Sequence, residues 1–216
     1  WDDEELQALF SRQDGFVPGA AVWVLRKETV EWVLRISSRF GFSASTAILA
    51  VDYLDRFLSS LGYGGDKPWA MQLAAVASLS IAAKVSEAAS SVPLLLDLQV
   101  EGAEYFFEAK TIQRMELLIL GAMEWRVNSA TPLCFIDHTM RRLGMKSDSF
   151  WGFCENLLLG IISDSRFRWF PPSVLAGATM IHVSRKGTVD FLEGQLLSLL
   201  KISKEEVKRC YDLVSD

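Results

Sequence analysis

Histidine and cysteine are scarce in this chain, with two and three residues among 216. His138 and His182 lie in helical, apolar surroundings, and neither has a cysteine, carboxylate or second histidine at metal-ligand spacing. The three cysteines, Cys134, Cys154 and Cys210, are odd in number, far apart and set among apolar residues, which predicts reduced thiols rather than a disulfide framework. No strand leads into a Gly-rich phosphate loop, since "LGYGGDK" at 61–67 joins two helical runs and lacks the Gly-Lys-Ser/Thr ending. "SDSRF" at 163–167 has no base at a triad-like position. Catalysis, a metal and a cofactor are therefore not expected. Lysines and arginines form no stripe, and with a net charge of −5 the chain is a poor partner for nucleic acid. The longest apolar run, Trp69 to Ala83, falls short of the ~20 residues a bilayer requires. The start, "WDDEEL", has no initiator methionine and no signal pattern, so the chain reads as an excised segment.

What remains is abundant apolar sequence at helical spacing. Half the residues are hydrophobic, enough to build a sizeable core, and β-alternation is sustained nowhere. The expected class is all-α. After an acidic lead from Asp3 to Ser11, helices are predicted at 20–39, 44–60, 68–88, 93–99 and 105–124, then at 132–143, 147–165, 171–185, 189–200 and 203–215. "NSATP" at 128–132 interrupts the pattern, with Thr131 as N-cap and Pro132 opening the next helix. It sets a boundary between domains 1–127, with the N-terminal helix, and 128–216. "SKEE" at 203–206 reads as a capping box. The halves match in character, because "KPWAMQLAAVASLSIAAK" and "PPSVLAGATMIHVSR" both open on proline and are rich in small residues. Small side chains let neighbouring backbones approach, so the third helix of each five-helix repeat should be central.

Two charges do not fit their helices. Lys84 follows Ile81, Ala77 and Leu73 on one face, and Glu116 lies among Ile112, Ile119 and Leu120. One reading is an intramolecular clasp, with the lysine at a helix C-terminus where the dipole favours a cation. The other is a docking surface whose apolar part supplies area and whose charges set register. Periodicity leaves both open. The acidic "DDEE" and the seven tryptophans call for no more than a solvated helix start and ordinary core and interface packing.

"LDRFLSS" (54–60), "SIAAKVSEA" (80–88) and "TIQRMELLILGAMEW" (111–125) resemble the cyclin box. "VPLLLDLQV" (92–100), "FEAKTIQRMELLIL" (107–120) and "SDSRF" followed by "PPSVLA" resemble plant D-type cyclins. The resemblance covers nearly the whole chain and implies tandem cyclin boxes. It also implies a regulatory subunit without activity of its own, which binds and activates a cyclin-dependent kinase for G1/S progression in the nucleus, and also in the cytoplasm. Lys84 and Glu116 then bracket the kinase's regulatory helix, with Ile81, Val85, Leu120 and Trp125 as flanking contacts. Docking would turn that helix inward and help order the activation segment.

A second family surface takes Arg-x-Leu motifs of substrates and inhibitors, and Leu25, Arg26, Trp32 and Gln72 match it. Retinoblastoma-related substrates and kinase-inhibitor proteins are the partners it implies. Glu28 and Thr29 depart from the aliphatic residues usual there, and Ser86 departs from the first glutamate of the family's Lys-x-Glu-Glu. The alternatives to kinase activation are a cyclin-fold protein-binding scaffold, a transcriptional cyclin and, more remotely, an all-α enzyme.

Overall fold

The computed structural model describes residues 2–12, 23–60, 68–88, 92–94, 96–99, 104–185 and 193–215; the side chains of 2, 3 and 23–25 lie outside that description. Among the described residues there is no strand. The helices are α1 (Asp2–Arg12), α2 (Trp23–Arg39), α3 (Ala44–Ser60), α4 (Pro68–Ser86), α5 (Ala109–Ala122), α6 (Pro132–Arg142), α7 (Asp148–Ile161), α8 (Pro172–Arg185), α9 (Glu193–Leu200) and α10 (Lys204–Ser215). They divide into two compact units, one of α2 to α5 and one of α6 to α10 with α1.

In the first unit α4 is the axis, packed by α2, α3 and α5. It has no polar face to spare: thirteen residues from Ala70 to Ala83 are buried, Ser78 and Ser80 among them. By length and composition α4 could cross a membrane, but 72% of that window is buried inside the protein. It is a core helix. Alanines at 74, 75, 77, 82 and 83 let the three neighbours come close, while Leu73, Val76, Leu79 and Ile81 supply the apolar area, each worth roughly 1.5–3 kcal/mol when buried.

α8 plays the same part in the second unit, surrounded by α6, α7, α9 and α10. Gly177 shows why small residues are required there: a Cβ at this position would lie 2.7 Å from Ile202 Cδ1. Thr131 stands at the N-cap of α6 ahead of Pro132, its hydroxyl 3.5 Å from Cys134 Sγ. Ser203 opens α10 by accepting from the Glu205 amide at 3.3 Å. The N-terminal helix, grouped above with residues up to 127, instead packs on α6. Leu6 and Leu9 are buried, Phe10 lies 5.5 Å from Phe135 between ring centroids, and the Arg141 guanidinium donates to Glu5 at 2.6 Å.

The fourth helix expected in the first half, 93–99, is among the described residues only a 3-10 turn, Asp97–Gln99. A seven-residue run without packing cannot recover the cost of nucleating a helix, and Leu94 and Leu96 are exposed rather than packed. α5 starts at Ala109 and not at 105, because residues 104–107 are held by side chains instead of helical bonds. Gln72 donates to the Tyr105 carbonyl (2.8 Å) and accepts from the Glu104 and Tyr105 amides (3.2 Å each), while Gln99 donates to the Phe107 carbonyl (2.6 Å) and accepts from its amide (2.8 Å). The helix expected at 147–165 ends at Ile161 and is followed by a 3-10 helix, Ser165–Trp169, whose N-cap Asp164 accepts from the Arg166 amide. The first residues of the expected helices 20–39 and 189–200 lie outside the described residues.

Candidate functional site

Lys84 stands in the last turn of α4, where the run of buried residues ends. Its side chain is 47% exposed and its Nζ donates to Glu116 Oε1 at 2.6 Å, while the Glu116 side chain, on α5, is only 12% exposed. The clasp between the two charges therefore exists. Glu116 lies between Ile112 and Ile119, both fully buried, so its carboxylate sits at the edge of the core and depends on the lysine for compensation. Chemistry remains for a partner. An ammonium has three donors and a carboxylate two oxygens, so one bond between them leaves the others free to be shared outward.

The apolar surroundings are exposed unevenly. Val85, Leu117, Leu118 and Trp125 are exposed and Leu120 is half-buried. Ile81, expected among the docking contacts, is a core residue, because α4 is enclosed on all sides until its final turn. Leu117 was not singled out from sequence, although "ELLIL" carries a signal: a surface helix should turn polar at 117 and 118, and this one does not.

Two polar devices fix the ends of these helices. Beyond Lys84, Glu87 Oε1 accepts from the Ser43 amide (2.9 Å), the Ser43 hydroxyl (3.0 Å) and the Thr46 hydroxyl (2.5 Å), capping α3 with a carboxylate from the end of α4. The Thr46 hydroxyl first, and then the Ser43 amide, hold that carboxyl below the usual range. Ser86 is exposed. Beyond Leu120, the chain leaves α5 through two consecutive non-glycine residues in the left-handed region, Glu124 (φ 52°) and Trp125 (φ 60°). Each costs of order 1–2 kcal/mol relative to a right-handed conformation. The segment is held by Trp125 N donating to Leu120 O (2.8 Å), Tyr53 Oη to Val127 O (2.5 Å) and Arg56 Nη1 to Arg126 O (2.9 Å).

The second expected surface is a cleft of about 340 Å³ between α2 and α4, closed on one side by residues 104–105. Trp32, Met71 and Ala75 give it apolar lining beside Thr29, and among its charged lining residues Glu28, Glu31 and Glu104 outnumber Arg35. Arg26 does not line it. That side chain is 1% exposed and forks onto both oxygens of Asp55 at 2.7 and 2.8 Å. Gln72 lines the cleft, but its amide is bonded to the 104–105 backbone and shapes the wall. The Leu25 side chain lies outside the described residues. Glu28 and Thr29 stand in the cleft itself, so its character is acidic and mixed rather than aliphatic.

The two histidines are both packed: His138 Nδ1 lies 3.4 Å from Glu5, and His182 lies beside Tyr211 and Ser215. Among the described residues no three His, Cys, Asp or Glu side chains come together as a metal site.

The profile of the cyclin N-terminal domain matches residues 5–128, and that of the cyclin C-terminal domain matches residues 130–216. The chain belongs to the cyclin family. It is 49% identical to Cyclin-D3-1 of Arabidopsis thaliana over 99% of its own length and 59% of that protein's, and 47% identical to Cyclin-D3-3 of the same plant, over 100% and 62%. It is also 38% identical to Cyclin-D2-2 of Oryza sativa subsp. japonica, over 88% and 54%. The chain thus spans about three fifths of the length of the D3 cyclins it matches. Among solved structures, the viral cyclin from herpesvirus saimiri superposes with a TM-score of 0.70 at 18% identity, covering 98% of this chain and 91% of that one. A chain of the yeast RNA Pol II CTD kinase CTDK-1 complex gives 0.67 at 11%, covering 98% and 70%. At such identities the likeness is one of cyclin fold. Lys84 and Glu116 thus come together within the N-terminal cyclin domain.

Proposed function

We propose that this cyclin is the regulatory subunit of a cyclin-dependent kinase, without catalysis of its own, acting in the nucleus to promote G1/S progression. The observation that carries the proposal is the Lys84–Glu116 pair at the place where the buried axis of a D-type cyclin box reaches the surface beside exposed Val85, Leu117 and Trp125. The chemistry suits a helix of a partner protein. Exposed apolar side chains gain roughly 25 cal/mol per Å² when covered, and a cation beside an anion fixes the direction in which a helix dipole can lie across them. Because the clasp spends only one donor of Lys84 and one oxygen of Glu116, the partner can be gripped without breaking it.

Retinoblastoma-related proteins as substrates, and inhibitor proteins at the α2–α4 cleft, belong to the same proposal. The test is phosphorylation of a retinoblastoma-related substrate by a plant cyclin-dependent kinase with and without this chain. Activation is expected, and Lys84→Glu should abolish it while far-UV circular dichroism stays unchanged. If folded Lys84→Glu activates as the parent does, the docking assignment is wrong. The acidic, mixed cleft lined in part by Thr29 favours one other reading, a cyclin-fold scaffold. It predicts tight kinase capture with no gain in phosphorylation.

A further inference from the structure

We infer that α3 sets the geometry of the docking surface, with Tyr53 and Arg56 acting as positioning residues that hold residues 124–127 so that Trp125 is turned outward. This rests on the docking reading above and deepens it.

The exit from α5 is unusual chemically. A helix C-terminus that enters the left-handed region normally does so on glycine or asparagine, and here a glutamate and a tryptophan do so in succession. A bulky side chain at positive φ persists only where its surroundings over-determine it. The bonds at Trp125 itself are local ones: its amide donates to Leu120 O and its carbonyl accepts from the Val127 amide at 3.0 Å. The restraint from outside comes from α3. Tyr53 is fully buried and its hydroxyl reaches Val127 O, and Arg56, one turn further along, reaches Arg126 O. A phenylalanine would fill the space of Tyr53 equally well, so the hydroxyl is there for the carbonyl it meets.

The result is an indole 64% exposed on a backbone fixed from both sides, a few residues beyond Leu120 on the strand of chain that leaves the Glu116 helix. Rigid aromatic side chains whose conformation is set before binding lose little freedom when a partner covers them. α3 contributes no residue to the proposed contacts and determines where one of them points.

The experiment is a double-mutant cycle read as affinity for a recombinant plant cyclin-dependent kinase, with Lys84→Glu as the reference. Trp125→Ala should weaken binding about tenfold or more, and Tyr53→Phe and Arg56→Ala each about three- to tenfold. In the Trp125→Ala background both should change affinity less than about twofold, because their effect passes through the indole. Equal weakening in both backgrounds overturns the inference, since a general loss of structure acts regardless of residue 125. So does unchanged affinity in Tyr53→Phe and Arg56→Ala when Lys84→Glu abolishes binding, an outcome that leaves the docking reading standing. If Lys84→Glu also binds normally, the docking reading falls and the inference with it. Should Tyr53→Phe fail to fold, Arg56→Ala, which alters a side chain at the edge of the unit, carries the cycle alone.

Discussion

Replacing Arg26 with alanine should destabilise the first unit rather than weaken a binding cleft. The guanidinium is buried and holds both oxygens of Asp55 at 2.7 and 2.8 Å, and the Asp55 side chain is itself 7% exposed. Arg26→Ala leaves that carboxylate in the core without its cation. Breaking one partner out of a buried pair costs roughly 3–5 kcal/mol, far more than the pair itself contributes, because the charge left behind has lost its hydration and gained nothing. For a unit of this size about 4 °C of melting temperature corresponds to 1 kcal/mol, so the transition should fall by roughly 12–20 °C. The assay is thermal and urea unfolding followed by far-UV circular dichroism. Arg26→Met combined with Asp55→Leu removes both charges and fills the volume, and should be less damaging than Arg26→Ala alone. If Arg26→Ala melts within a few degrees of the parent and instead loses affinity for an Arg-x-Leu peptide, the burial argument is refuted and Arg26 belongs to the cleft.

Glu87→Gln should lower stability at neutral pH by about 1 kcal/mol, the usual worth of a helix cap, and flatten the acid side of the pH profile. The sign follows from a folded pKa held below the unfolded one: the contribution is complete above the unfolded value and disappears as pH falls through the folded value, so parent and variant should converge only on the acid side of that lowered value. Burial pushes the Cys154 and Cys210 thiols up to about 12, with Glu155 adding to the effect at Cys154. A thiol reagent at pH 8 should therefore modify half-buried Cys134 in the native protein and reach the other two only on unfolding, which mass spectrometry of the labelled chain will show. Gly152, inside α7, has nothing within 4 Å of where a Cβ would lie. Gly152→Ala should raise stability by roughly 0.5–1 kcal/mol in the same urea assay.

Periodicity was enough to read the two central helices. α4 and α8 are recognisable because small residues replace the polar face that a surface helix needs, and that property is local to each sequence. Residues 93–107 were not legible in the same way. Within that stretch, residues 104–107 are held by Gln72, more than thirty positions away, and by Gln99, and nothing in the leucine cluster announces either amide. The docking of α1 on α6 was invisible for a similar reason, since Glu5 finds Arg141 and His138 across more than 130 positions.

The candidate site divides along the same line, and the division bears on how a motif should be read. Lys84 and Glu116 could be found because each breaks an apolar face, a discrepancy that survives without knowledge of the fold, and the structure brings them to 2.6 Å. Arg26 carries the same kind of signal in principle, a cation in an amphipathic helix, yet its meaning differs because Asp55 lies beside it in the core and no partner can reach it. Gln72 differs again, facing the cleft while its amide is bonded to the protein's own backbone. A polar residue in a matching motif therefore has two possible duties, toward a ligand or toward the fold, and exposure together with the number of bonds already made tells them apart. By that measure Lys84 is a surface residue with donors to spare, Arg26 is a structural cation, and Trp125 is the case in which the fold spends bonds from Tyr53 and Arg56 on keeping an apolar side chain in water.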